Sequence, residues 1–261
     1  MMPEESYKNN EVAFLGEVAD KLSLKDNTRL VFIERFKINN DDLNNAALAD
    51  VLLTNLRHNN TMRDALRRIF KKLEVEGCHF NDATRDKVNI ARQWLREVLY
   101  PWYQLKNMAT STNKMGPVLQ GMSTMDMYTV DPHYPKTVPL DSEIKFEVRL
   151  ERRGYLTLLE RGTSGEFYCL SPSFLGALPI FDAGVVSLPM EGAPVDYFRL
   201  DGKPGVEEII AGISQERPRL SWLPQGDQPP LLLEGKHLQE FLTYFQAESD
   251  STLWYMFYDV V

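Results

Sequence analysis

The chain has 261 residues, a length that suits two domains better than one. Apolar residues make up 43 % and charged residues 25 %, close to the globular average, which argues against wholesale disorder. The net charge of −8 hides an asymmetry: residues 1–106 carry 17 basic and 16 acidic side chains, residues 107–261 carry 12 and 21, and so acidic a second part disfavours nucleic acid as a partner.

The opening MMPEESYKNN shows neither a secretory signal nor a transit peptide, and no run reaches the roughly 18 apolar residues of a membrane span. Cys78 and Cys169 stand far apart, which speaks against a disulfide framework. A cytoplasmic location without membrane contact is the expectation.

Up to Pro101 the only proline is Pro3 and the only glycines are Gly16 and Gly77, so helices are expected throughout this stretch. Leu15, Val18, Ala19 and Leu22 line up on a first helix near 10–22, and Leu30, Val31, Ile33 and Phe36 on a second near 26–37, whose apolar run also fits a strand. A third, capped by Asn40 or Asp41, carries Leu43, Ala47, Leu48, Leu52 and Leu56. The fourth is capped by Thr61 and buries Met62, Leu66, Ile69, Phe70 and Leu73. The fifth starts at Asn81 or Asp82, runs through Trp94 and Leu99 and is stopped by Pro101.

Between 104 and 138 Ser, Thr, Asn, Gly and Pro accumulate, along with Met108, Met115, Met122, Met125 and Met127. This composition reads as a linker, some of whose methionines pack onto a neighbouring surface. From Pro139 the apolar period becomes two: Ile144, Phe146, Val148 and Leu150 alternate with charged residues. Strands are expected near 155–159, 167–170, 184–189, 197–200, 206–214, 231–233 and 253–258, with one helix near 236–247. The reading is α+β: a five-helix bundle over 9–103, a linker over 104–138 and an antiparallel, sandwich-like β domain over 139–261.

Motifs for chemistry are scarce. His133 and Cys169 stand in the order of a caspase-like dyad, but neither lies in a glycine-bearing peptidase signature, and Cys169 sits mid-strand as a buried structural thiol would. Cys78-His79 lacks the spaced second pair that a metal site needs, and His58 and His237 are isolated, so neither metal nor cofactor is expected. Phosphate-cradle, dinucleotide and hydrolase-elbow motifs do not occur. Asp41-Asp42 and Glu207-Glu208 are sequence neighbours whose side chains diverge, which suits solvent better than acid/base work. An enzyme here would require a pocket joining Tyr, Glu and Arg groups in the β domain.

The fourth helix carries the most informative charges. Arg63, Arg67 and Lys71 form one row of four-residue spacing and Arg68 and Lys72 the next, a ridge that is either a solvated face or a docking surface for acids such as Asp41, Asp42 and Asp50 of a like bundle. RNA binding would call for interleaved aromatics that this ridge lacks.

Three segments, GYLTLLERGTSGEFYCLSPS, ALPIFDAGVVSLPMEG and DYFRLDGKPGVEEIIAGISQERP, resemble the domain of unknown function 4384 family. Gly154-Tyr155, Leu170 with Pro172, Ala183-Gly184, Gly205 with Glu207, and Ser214 with Pro218 carry the resemblance over about 140–220, and SFLG is inserted after Pro172. The resemblance implies a bacterial module that accompanies caspase-like peptidases and has no assigned catalytic residues. The stretch ending in RQWLREVLYPWY is similar in architecture to effector-associated, death-fold-like adaptor domains, which pair like with like. Together these imply a non-enzymatic adaptor that recruits a peptidase or other effector bearing a matching bundle, with self-association open to it; the alternatives are a peptidase substrate cut in the linker and an unrecognised enzyme of the β domain.

Overall fold

The computed structural model describes residues 3–52, 59–80, 86–120, 134–176 and 180–261. They form two compact units, residues 1–100 and 101–261.

The first unit is helical: α1 (Pro3–Lys21), α2 (Asp26–Phe36), a 3-10 turn (Ile38–Asn40), α3 (Asn45–Val51), α4 (Asn59–Val75) and α5 (Lys87–Gln93). Phe14, Leu15, Phe32, Phe36, Leu48 and Ile69 are fully enclosed, and α4 packs on α2 and α3. The helix reading of 26–37 holds. Other details differ from the sequence expectation. Asn44, not Asn40 or Asp41, caps α3, its side chain accepting from the Ala47 amide at 2.9 Å. Asn40 is instead buried and donates to the Glu34 carbonyl at 2.7 Å. Since α4 already begins at Asn59, Thr61 lies inside it rather than capping it. The expected caps Asn81 and Asp82, together with Leu56 and His58, fall outside the described residues.

Pro101 does not end the last helix. A π turn (Trp94–Leu99) follows α5 and leads straight into α6 (Tyr100–Met108). The Tyr100 amide bonds back to the Leu95 carbonyl, closing the wide turn, so Pro101 enters in the first turn of a new α register, where a missing amide costs least. The division between the units falls inside α6, between Tyr100 and Pro101.

The second unit contains β1 (Thr110–Ser111), β2 (Met115–Leu119), β3 (Thr137–Val138), β4 (Glu143–Leu150), β5 (Gly154–Arg161), β6 (Phe167–Ser171), β7 (Ile180–Phe181), β8 (Gly184–Leu188), β9 (Phe198–Arg199), β10 (Gly205–Ser214), β11 (Leu231–Leu232), α7 (Gly235–Ala247) and β12 (Thr252–Val260). Residues 104–120 and 134–138, read from composition as linker, therefore carry the end of α6 and strands β1, β2 and β3. β1 and β3 are two residues each, too short to show an alternating pattern, whereas β2 is apolar and mostly buried. Residues 121–133, with Met122, Met125 and Met127, lie outside the described residues.

The large sheet runs β1-β12-β10-β5-β6-β11, with β3 also on β12 and β7 on β5; the small sheet runs β2-β4-β8, with β9 on β4. Among these pairings only β1 and β3 run parallel to their neighbour β12. Alternation turns Ile144, Phe146, Val148 and Leu150 of β4 inward against Leu156 and Leu158 of β5 and Ile209, Ala211 and Ile213 of β10, making one shared core. The other face of the large sheet is covered by helices: Trp102 of α6 meets the Phe167 ring at 5.1 Å, and Phe241 and Phe245 of α7 come down on Gly212.

At Gly212 two rings of α7 come close to the strand backbone. A Cβ there would sit 2.5 Å from a Phe245 ring carbon and 2.8 Å from one of Phe241. Gly212→Ala should therefore destabilise the second unit by about 1–3 kcal/mol through overpacking. Denaturant unfolding followed by tryptophan fluorescence reads the change, and an unshifted midpoint would contradict this packing.

Candidate functional site

Strand β10 carries two adjacent acids, and alternation sends them to opposite faces of the large sheet. Both are buried: Glu207 is 7 % exposed and Glu208 3 %. The expectation that this pair faces solvent is corrected, because β10 is central and both of its faces are covered.

Glu208 points to the helix-covered face and is fully engaged. Arg161 Nη1 lies 3.0 Å from its Oε2, Lys106 Nζ 2.9 Å from its Oε1, and the Tyr255 hydroxyl donates to Oε1 at 2.9 Å. Arg161 stands directly opposite Glu208 in the β5/β10 register, so sheet pairing itself delivers the first cation. Lys106 comes from α6 and stacks over the Tyr255 ring. This is a buried charge with compensating partners, a structural arrangement rather than a reactive one.

Glu207 points the other way, into the sandwich, where Glu160 of β5 occupies the diagonal position on the same face. The tight turn after β5 shapes the surroundings: Gly165 adopts φ +87°, Gly162 donates to the Glu166 carbonyl, and the Thr163 amide donates to Glu207 Oε1 at 3.0 Å. Burial, then the neighbouring Glu207, push the Glu160 carboxyl well above the usual carboxylate range. Burial also raises Glu207, against the opposing pull of the Thr163 amide. Tyr258, 1 % exposed and paired with Glu207 across β10/β12, is raised by burial and then by Glu160 and Glu207. Burial and the neighbouring acid thus both favour the protonated form of Glu160 beside Glu207.

The pair forms the floor of a cleft of about 630 Å³ at one end of the sandwich. Its walls are Phe146 of β4, Tyr168 of β6, Phe198 of β9 and Tyr258 of β12, with Arg199 and Lys203 at the rim. Tyr, Glu and Arg groups thus do meet in one pocket of the β unit. Such a volume is ordinary for a small-molecule site, and an acid pair that favours holding a proton can exchange it for another positive charge.

The residues singled out from the sequence fall elsewhere. Arg63, Arg67, Arg68, Lys71 and Lys72 are all exposed along α4. Lys72 Nζ also donates to the Leu22 carbonyl beyond α1. Asp41 is not offered outward: Arg96 grips both of its oxygens at 2.7 and 2.8 Å and Arg92 pairs with Oδ1 at 2.9 Å, whereas Asp42 and Asp50 are exposed. Cys169 is enclosed, donates to the Ser171 carbonyl at 3.2 Å and has its thiol pushed up by burial; His133 is outside the described residues. Burial raises the Cys78 thiol to about 12, and His237 serves the α7 start, accepting from the Glu234 amide at 3.0 Å. Sequence reasoning missed Glu160, although Leu156 and Leu158 facing inward already put position 160 on the inner face.

The Glu160 titration has a definite sign. From about 4.5, where an unperturbed Glu carboxyl titrates, up to its raised folded value, the folded chain holds a proton the unfolded chain has released. Stability therefore falls as pH rises through that window. Glu160→Gln keeps a donor for Glu207 and removes this titration, so its Tm gain over wild type should be larger at about pH 8 than at about pH 5. Equal shifts at both pH values in a thermal melt would show that Glu160 ionises freely.

A family model, "Domain of unknown function (DUF4384)", matches residues 137–217, from β3 to just beyond β10, so it includes both carboxylates of the cleft. No curated protein matches the chain, and no solved structure does. The β unit is thus similar over those residues to a family defined by its sequence.

Proposed function

We propose that the chain is a non-enzymatic adaptor whose helical unit docks an acidic protein surface through α4. The observation that supports this is the state of the ridge. Among the described residues Arg63, Arg67, Arg68 and Lys71 are exposed and have no ion-pair partner, in contrast to Arg92 and Arg96, which are spent on Asp41. Beside the ridge lies a groove of about 570 Å³, with Leu66, Phe70 and Val88 forming an apolar strip between Arg63, Arg67 and Lys71. Cations around an apolar strip fit a partner helix bearing acids around apolar anchors.

The partner class follows from the resemblances. A death-fold-like bundle pairs with a matching bundle, and modules similar to the β unit accompany peptidases, so the recruited protein is a peptidase or other effector of a bacterial signalling or defence system. Asp42 and Asp50 remain available as the acidic counterpart on a like bundle; Asp41, held by two arginines, does not. The β unit then recognises a second protein or a ligand.

Arg63→Glu, Arg67→Glu and Lys71→Glu together reverse the ridge without touching the buried face of α4. The triple variant should keep the helical circular dichroism of the wild type and lose co-purification of the effector, and wild-type capture should weaken steeply with added salt. Undiminished capture by the triple variant would remove the ridge from the interface.

A further inference from the structure

Two acids side by side do not make a site. What distinguishes this pair is Glu207 Oε2, a buried oxygen of a cleft-lining residue that has no hydrogen-bond partner among the described residues. A buried acceptor is normally satisfied, so a proton on Glu160, a water or a ligand's donor has to reach it, and beside a second acid a positively charged donor gains most.

We propose that this cleft binds an organic cation, an alkylammonium or guanidinium group, whose N–H donors are held between Glu160 and Glu207 and whose carbon chain lies along Phe146, Phe198 and Tyr258.

The lining fits that chemistry. The floor is carboxylate and the walls are aromatic, the pairing that favours an ammonium or guanidinium head with an apolar stem. The charged groups that face the floor come from every side: Glu166 and Tyr168 from β6 and its turn, Tyr258 from β12, Arg199 from β9, and Asp201 and Lys203 from the loop before β10. Glu166 is engaged by Ser164 and Tyr168, each donating to its Oε2 at 3.2 Å. Arg199 is two-thirds exposed and pairs with Asp141 at 3.4 Å, so solvent and that acid screen it from the floor. Among the described residues no three metal-ligating side chains assemble, which favours a donor with directed N–H bonds over a bare metal ion.

Binding is an exchange. The cation enters as the Glu160 O–H bond breaks and its proton passes to solvent, so over the pH range where the empty cleft holds that proton one is released per cation bound. Affinity should rise with pH, by up to about tenfold per unit, until Glu160 is already ionised in the empty cleft. This inference does not depend on the α4 reading, since reversing Arg63, Arg67 and Lys71 leaves the cleft untouched.

Calorimetric titration of the full chain at about pH 6, 7 and 8 tests it. The probes are butylammonium, butylguanidinium, the methylamide of N-acetyl-lysine, and butanol as the neutral isostere. Expected are saturable binding of one or more of the cations, tightening with pH and accompanied by proton release, and none of butanol. Preference for the lysine derivative would assign the site to a protein side chain, and preference for the simple cations to a free amine or guanidine. Glu160→Gln and Glu207→Gln should each weaken binding by about tenfold or more and abolish its pH dependence; Glu160→Gln also retains a donor to Glu207 and so tests the idea in a folded chain should Glu207→Gln unfold. Absence of cation binding at the highest pH, equal binding of butanol, or affinity indifferent to pH or to Glu160→Gln would overturn the proposal.

Discussion

Adjacent residues on a central strand must enter opposite layers, and on β10 both of those residues are acids. The second unit is organised around how the two carboxylates are accommodated. Burying an ionised carboxylate without compensation costs several kcal/mol or more, so each layer has to answer for its own charge. The helix-covered layer answers with Arg161, Lys106 and Tyr255, three donors from three elements converging on Glu208. The sandwich layer answers only in part, with one backbone amide and a second acid. One strand therefore holds a completed charge network on one side and an open one on the other.

Strand periodicity made much of this fold legible. The alternation from Ile144 to Leu150 and the run from Val206 to Ser214 locate β4 and β10 within a residue or so of their observed ends, and the α7 stripe of Leu238, Phe241, Leu242 and Phe245 is buried as its spacing requires. Pairing was not legible. Nothing local in TLLERG or GVEEII says that Glu160 and Glu207, 47 positions apart, sit diagonally on one face, because that depends on the register of β5 against β10. The inward set of each strand could be read from its apolar neighbours, however, and an acid in an inward set is the signal that marks this cleft.

The helical unit shows the complementary lesson. Composition correctly foretold helices, but junctions were decided by tertiary demands. Pro101 is carried inside a continuous helical stretch because a π turn resets the hydrogen-bond register just before it, and Asn40, a good cap by type, is drawn into the interior by the Glu34 carbonyl while Asn44 caps α3. Asp41 looked like a surface acid beside Asp42. Its neighbour does face solvent, but Asp41 ties two arginines of the α5 and π segment to the loop after α2, so its charge holds the bundle together and is not free for recognition.

Charge thus appears in two physical settings, and their strengths differ for a calculable reason. Opposite unit charges 4 Å apart attract by about 1 kcal/mol in bulk water and about 4 kcal/mol at the effective dielectric of a protein surface region. The α4 ridge works at the weak end: its cations are exposed, salt screens them, and several must act together to orient a partner. The Glu160–Glu207 pair works at the strong end, where one additional positive charge satisfies a buried oxygen and offsets a like-charge repulsion at once. A surface of the first kind selects partners by complementary pattern and releases them readily. A site of the second kind selects by the chemistry of a single group, and it is the one whose occupancy the protein's own protonation can oppose.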